Sequence, residues 1–291
     1  MGMLMLGAFL AGLLAVAAAL LVPGRRPESP FSPPPPAPMK IGQPAAPVPA
    51  PSPASPQSPA PAPAPRGEGL LAVIVDGLGY DPSADAESLR MPEKVTLAVI
   101  PFGPSSRRIA QAGRSRGFTV LIHVPMEPES PAVDRTEGFR MRPGMSRDEM
   151  DALLSRMMHD VPQAAGASNH MGSAFTADPA AMGTYAALLR AKGLYLVDSV
   201  TTPKSTVLDA ARIAGIRAAR RDVFLDVDLS PGEMRARWDK AVSIAREKGA
   251  AVLVCHGRPE TMRFVAGLLP GLRSQGIRPV TMDELLGARK D

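Results

Sequence analysis

LLAVIVDGLGY, residues 70–80, is the stretch on which the fold turns. Its six leading apolar residues do not alternate with polar ones, so a strand made from them has both faces buried, as in a parallel sheet covered by helices. Asp76 then falls at the carboxyl end of the strand, the edge at which α/β sheets present functional side chains. Gly77 and Gly79 fit a tight turn after the strand. Neither GxGxxG nor GxxxxGK[ST] is present there, which removes dinucleotide-binding and P-loop readings.

Outward from this strand the same kind of run recurs at 95–100, 118–122, 194–197, 223–225 and 250–255. Longer amphipathic segments lie between the runs, the rhythm of βα units around a parallel sheet. Ser146…Glu149, Ser230…Glu233 and Thr281…Glu284 have capping-box spacing, and Asp178-Pro179 reads as an N-cap followed by proline. These signals predict helices near 146–160, 178–192, 230–248 and 259–275. A (β/α) barrel is the expected architecture, with an open doubly wound sheet as the alternative.

Upstream, residues 3–22 form an uncharged apolar run of 20 residues, long enough as a helix to cross about 30 Å of hydrocarbon. Residues 1–22 are therefore expected to anchor the protein in a membrane, a cleaved signal segment being the competing reading. Residues 23–65 hold 18 of the 33 prolines, a composition that favours a disordered polyproline spacer over 23–67. The folded domain is expected at 68–291, about 225 residues, large enough to be stable without disulfides or structural metal. Arg25 and Arg26 after the apolar run argue for a cytoplasmic side, whereas the spacer is of the kind found in the cell envelope. The expected location is membrane-anchored, with a periplasmic domain.

Of the net charge of +5, only +3 belongs to residues 66–291, and aromatic residues make up 4% of the chain. That is too little charge and too few stacking groups for a nucleic-acid binder. The single cysteine, Cys255, excludes an internal disulfide and sits in an apolar strand as an inert thiol.

Strand ends concentrate the chemistry. Asp76, His123, Asp198, Asp226 and His256 each close an apolar run, and His170 lies in NHMGS at 169–173. One strand-end histidine is usually a structural residue. Three that converge with carboxylates point to a metal or acid/base site, where an ion with an open position makes hydroxide available near neutral pH. HExxH and CxxC are absent, and no GxSxG elbow surrounds Ser173 or Ser199.

VIVDGLGY (73–80), VTLAVIPF (95–102), IHVPMEP (122–128), NHMGS with Thr176, LVDSVTT (196–202), ARRDVFLDVD (219–228) and CHGRPET (255–261) occur in the order found in the divergent polysaccharide deacetylase family. The chain resembles this remote branch of the NodB-type carbohydrate esterases over roughly residues 70–287. The resemblance implies a distorted, NodB-like (β/α) barrel acting on N-acetyl groups of envelope glycan. It implies a divalent metal, zinc being the expected ion, held by Asp76, His123 and His170. It makes His256 the donor of a proton to the leaving amine and Asp198 the candidate base, with Glu127, Asn169, Ser173, Arg221 and Asp222 as expected substrate contacts. The chain departs from the family pattern twice: Gly77 stands where the second of two aspartates is usual, and Glu127 where a second histidine is. A pseudoenzyme that binds glycan or a cell-wall partner without turnover is the alternative expectation.

Overall fold

A computed structural model of the protein describes residues 67–130 and 136–288. The expected anchor at 1–22 and nearly all of the spacer lie outside the described residues, among which no helix is long and apolar enough to cross a membrane.

Nine parallel strands form one curled sheet, a half-barrel. They are β1 (Gly69–Leu78), β2 (Thr96–Val99), β3 (Thr119–Met126), β4 (Gly166–Met171), β5 (Tyr195–Asp198), β6 (Ala218–Arg220), β7 (Val223–Phe224), β8 (Ala250–His256) and β9 (Ile277–Val280). Their order is β6-β5-β4-β3-β2-β1-β8-β7, with β9 also pairing with the first residues of β1. The two edge strands are consecutive in the chain, so Arg221 and Asp222 alone span the gap between β6 on β5 and β7 on β8.

The helices are α1 (Pro82–Leu89), α2 (Ser106–Ser115), α3 (Arg147–Asp160), α4 (Ser173–Ala177), α5 (Pro179–Ala191), α6 (Val207–Ala214), α7 (Pro231–Lys248), α8 (Pro259–Leu268) and α9 (Met282–Ala288). Capping fixes several starts as the sequence predicts. Ser146 and Glu149 form a reciprocal capping box, Thr281 and Glu284 exchange the same pair of bonds, and Asp178 accepts from Ala180 and Ala181 ahead of Pro179. Ser230 does not cap α7 through its side chain; its own N–H is held by Asp228 instead. The helix expected to reach residue 275 stops at Leu268, and Pro270 follows in a short 3₁₀ turn.

Side-chain alternation divides the apolar residues into two cores. Leu71, Val73 and Val75 of β1 face the helices, together with Val120, Ile122, Leu253 and Cys255. Ala72, Ile74, Leu121, Tyr195, Val197, Ala219, Val252 and Val254 face inward, and α9 adds Met282, Leu285 and Leu286 to them. Met282 N–H is held by Thr96 Oγ1 at the start of β2, so α9 seals the inner cluster at that end. The strands open toward their carboxyl ends, where the inner positions become polar.

Candidate active site

Two-residue periodicity selects the site. Continuing Ala72 and Ile74 by one inward position gives Asp76; Leu121 leads to His123, and Val252 and Val254 lead to His256. On β4 the residue beside His123 is Ser168, and the next on that face is His170. Ladder register places Asp76 beside His256 across β1 and β8. The structure thus brings Asp76, His123, His170 and His256 into one polar layer above the inner core.

Burial sets the charge state of this layer. Asp76 is 4% exposed, its Oδ1 is enclosed without a partner, and its Oδ2 lies 3.8 Å from His123 Nε2, too far for a hydrogen bond. Burial pushes the Asp76 carboxyl up to about 7, with Asp226 adding to the rise and His256 opposing it. His123 is also buried, and that burial, with His170 and His256 nearby, holds its imidazole well below the usual histidine value. It is therefore neutral, with Nδ1 2.8 Å from Ser168 Oγ and Nε2 toward Asp76. The His123 and His170 rings meet edge to face with centroids 5.1 Å apart.

His256 is anchored by a residue to which the sequence reading gave no role. Asp226 is 1% exposed, and its Oδ1 accepts from both the backbone N–H and Nδ1 of His256, each at 3.1 Å. Thr261 donates to the other oxygen at 2.9 Å. Burial opposes the charge on both partners, but these bonds prevail: the Asp226 carboxyl lies below its ordinary value and the His256 imidazole above it. The His256 side chain is left 39% exposed. VFLD at 223–226 carried the signal for Asp226, since an acid that closes an apolar strand next to the CH of 255–256 is placed to meet that histidine.

Other expected site residues do different work. Asp198 is not brought against Asp76. Its strand turns Tyr195 and Val197 inward, so Asp198 faces the opposite side, where it accepts from Val200 N–H at 2.7 Å and Ser205 Oγ at 2.8 Å. Asn169 shares the outward side of β4 with Ala167 and is 1% exposed; its amide holds Ser199 N–H and the Met171 carbonyl. Ser173 Oγ accepts from Glu129 N–H. The Glu127 carbonyl accepts from Ala174 and Phe175 at the start of α4, while its half-exposed carboxylate lies 4.0 Å from Arg142. Arg221 and Asp222 are bonded through their side chains to main-chain groups on opposite sides of the sheet gap. Met171 and Val200, at the ends of β4 and β5, have φ of 54° and 52°. Such values are strained for non-glycine residues, for β-branched valine above all.

The donor set suits a divalent cation in kind: a buried carboxylate with an unpartnered oxygen beside a neutral imidazole, and a second imidazole adjoining. Among the described residues, no three His, Cys, Asp or Glu side chains are drawn close enough together to hold an ion as they stand. Gly77 contributes to this opening. A Cβ there would meet only His256 Cδ2, at 4.0 Å.

Comparison with known proteins agrees with this architecture. The family model described as divergent polysaccharide deacetylase matches residues 73–286. An uncharacterized protein of Haemophilus influenzae is 35% identical over 204 residues, which cover 70% of this chain and 71% of that protein. The uncharacterized protein YibQ of Escherichia coli is 33% identical over 204 residues, 70% of this chain but only 63% of the longer relative. The crystal structure of the uncharacterized protein ATU2773 from Agrobacterium tumefaciens superposes with a TM-score of 0.72 at 23% identity, covering 76% of this chain and 91% of that one, and shares its fold.

Proposed function

The chain belongs to the divergent polysaccharide deacetylase family, and from that premise we propose that it hydrolyses N-acetyl groups on envelope polysaccharide with a divalent metal, zinc being the expected ion. The observation that carries the reading is the meeting of Asp76, His123 and the Asp226-held His256 in one layer at the strand ends.

Asp76, His123 and His170 are the residues that would hold the ion. A bound divalent ion lowers the pKa of water and polarises the acetyl carbonyl. Asp76 would offer the ion its buried carboxylate, of which Oδ2 faces His123 and Oδ1 has no hydrogen-bond partner. His123 stays neutral, as a ligand must, and Ser168 orients its ring through Nδ1. His256 has the opposite task. Against the effect of burial, its pKa is raised by the Asp226 carboxylate, which favours the imidazolium, and with Nδ1 engaged by Asp226 the ring has Nε2 left to hand a proton to the departing amine. The balance is that of hydrolysis: the water oxygen bonds to the acetyl carbon, the carbon–nitrogen bond breaks, and acetate and a free amine leave. An N-terminal membrane anchor and spacer would set the domain at its polymer in the periplasm.

A second reading, glycan binding without turnover, is favoured by Gly77 and by the loose spacing of the three donors. Acetate release from N-acetylglucosamine oligomers, measured with zinc, cobalt or manganese supplied, separates the two. Hydrolysis predicts release that is abolished in His123→Ala. Oligomer binding with no acetate from the wild type would replace the first reading with the second.

A further inference from the structure

We propose that Arg221 and Asp222 form a clasp across the open side of the half-barrel and act as positioning residues that set the two rims of the cleft relative to each other. Among the described residues the two edge strands have no ladder between them, and Arg221 and Asp222 are the residues that join them along the chain.

Arg221 makes three hydrogen bonds to one rim and Asp222 two to the other. On the β5 side, Arg221 N–H donates to the Asp198 carbonyl at 2.9 Å, while its Nε and one terminal nitrogen donate to the carbonyls of Ser199 at 2.7 Å and Val200 at 3.0 Å. On the β8 side, Asp222 N–H donates to the Val252 carbonyl at 2.9 Å and Asp222 Oδ2 accepts from Val252 N–H at 2.9 Å. The carboxylate thereby completes the pairing that a further strand residue would give. One peptide bond links these two sets of bonds.

What the clasp holds includes a strained turn after β5. Val200 has positive φ, and its N–H is tied to Asp198 while its carbonyl is tied to Arg221. A β-branched residue persists in that conformation only when its surroundings impose it. The Arg221 guanidinium also lies 5.0 Å from the Phe224 ring centroid, and Phe224 meets the His256 ring edge-on at 5.0 Å. The strained turn on one rim and His256 on the other are therefore connected through a single side chain. Lysine cannot reproduce this, because one ammonium lacks the planar fork that reaches two carbonyls and stacks on a ring.

The test is hydrogen–deuterium exchange on the full chain as wild type, Arg221→Met, Arg221→Lys and Asp222→Ala. A clasp predicts that each substitution speeds exchange on both rims, at Val200–Thr202 and at Val252–His256, by about tenfold, the loss expected of one hydrogen bond. Arg221→Lys should resemble Arg221→Met. Loosening confined to the substituted residue's own rim, or full protection retained in Arg221→Lys, would overturn it. Should Arg221→Met fail to fold, the other two variants still decide the matter.

A second arm measures affinity for an N-acetylglucosamine tetramer, which should fall about tenfold in both Arg221 variants; unchanged affinity in folded variants would show that the clasp does not position the cleft. This arm rests on the proposed substrate class. If the wild type itself binds no tetramer, that class is wrong while the exchange result still judges the clasp.

Discussion

Asp226 Oδ1 stands 3.1 Å from both the backbone nitrogen and Nδ1 of His256, so one buried oxygen fixes the strand end and the ring together. A carboxylate in that position is costly to lose because the buried Thr261 hydroxyl and the two His256 N–H groups lose their acceptor. Asp226→Ala should lower stability by on the order of 3 kcal/mol, and the His256 imidazole should titrate lower than in the wild type. Denaturant unfolding and histidine proton NMR would check both.

The same pair gives a pH signature. Asp226 has a depressed folded pKa, so its contribution is present above the unfolded carboxyl value of roughly 3.9 and is lost as pH falls through the folded value. His256 has a raised folded pKa, so its contribution is full below the unfolded value of roughly 6.5 and fades as pH rises through the folded one. Stabilisation by the pair is therefore greatest between about pH 4 and 6.5. His256→Gln should flatten the decline above that window in a plot of Tm against pH. An unchanged slope would show that the pair does not contribute it.

Gly77 allows a gain-of-function test. Its φ of +76° penalises any side chain, yet the space beyond it is open as far as His256 Cδ2. Gly77→Ala should cost about 1 kcal/mol in stability without changing metal affinity. Gly77→Asp should bear the same backbone cost and bind zinc at least about tenfold more tightly by calorimetry, since it adds an anionic oxygen donor to the set.

Cys255 is fully buried on the helix-facing side of β8, and burial, followed by the nearby Asp226 and Asp76 charges, pushes its thiol well above the ordinary range. The native protein should resist an aryl disulfide reagent at pH 8, and unfolding should release one reactive thiol per chain. Fast labelling of the native protein would contradict the packing of this strand.

The legible parts of the fold were those whose burial leaves a compositional trace. β1, β3 and β8 are enclosed on both faces and are continuously apolar in the sequence. β4 is equally central, but GASNHM hides it because its residues serve the site and its neighbours. Gly166 is required where a Cβ would lie 2.5 Å from the Tyr195 ring, and Ser168 is bonded to His123. α1 has the same Asp-Pro start as α5, at Asp81-Pro82. Within the site, a list of strand-end acids and imidazoles could not rank its members, and side-chain parity does so. Asp76 and His123 continue inward series, whereas Asp198 and Asn169 continue outward ones. The role of Arg221 lay beyond reach, because the break between β6 and β7 leaves no trace in local composition.

Asp76, His123 and His170 are proposed to make the polar layer above the inner core a metal site. Elemental analysis of the purified full chain, as wild type, Asp76→Ala and His123→Ala, tests it most directly. The prediction is close to one equivalent of divalent metal in the wild type, removable by chelation and missing from both variants. A metal-free wild type after incubation with zinc, or metal that persists in both variants, would contradict it.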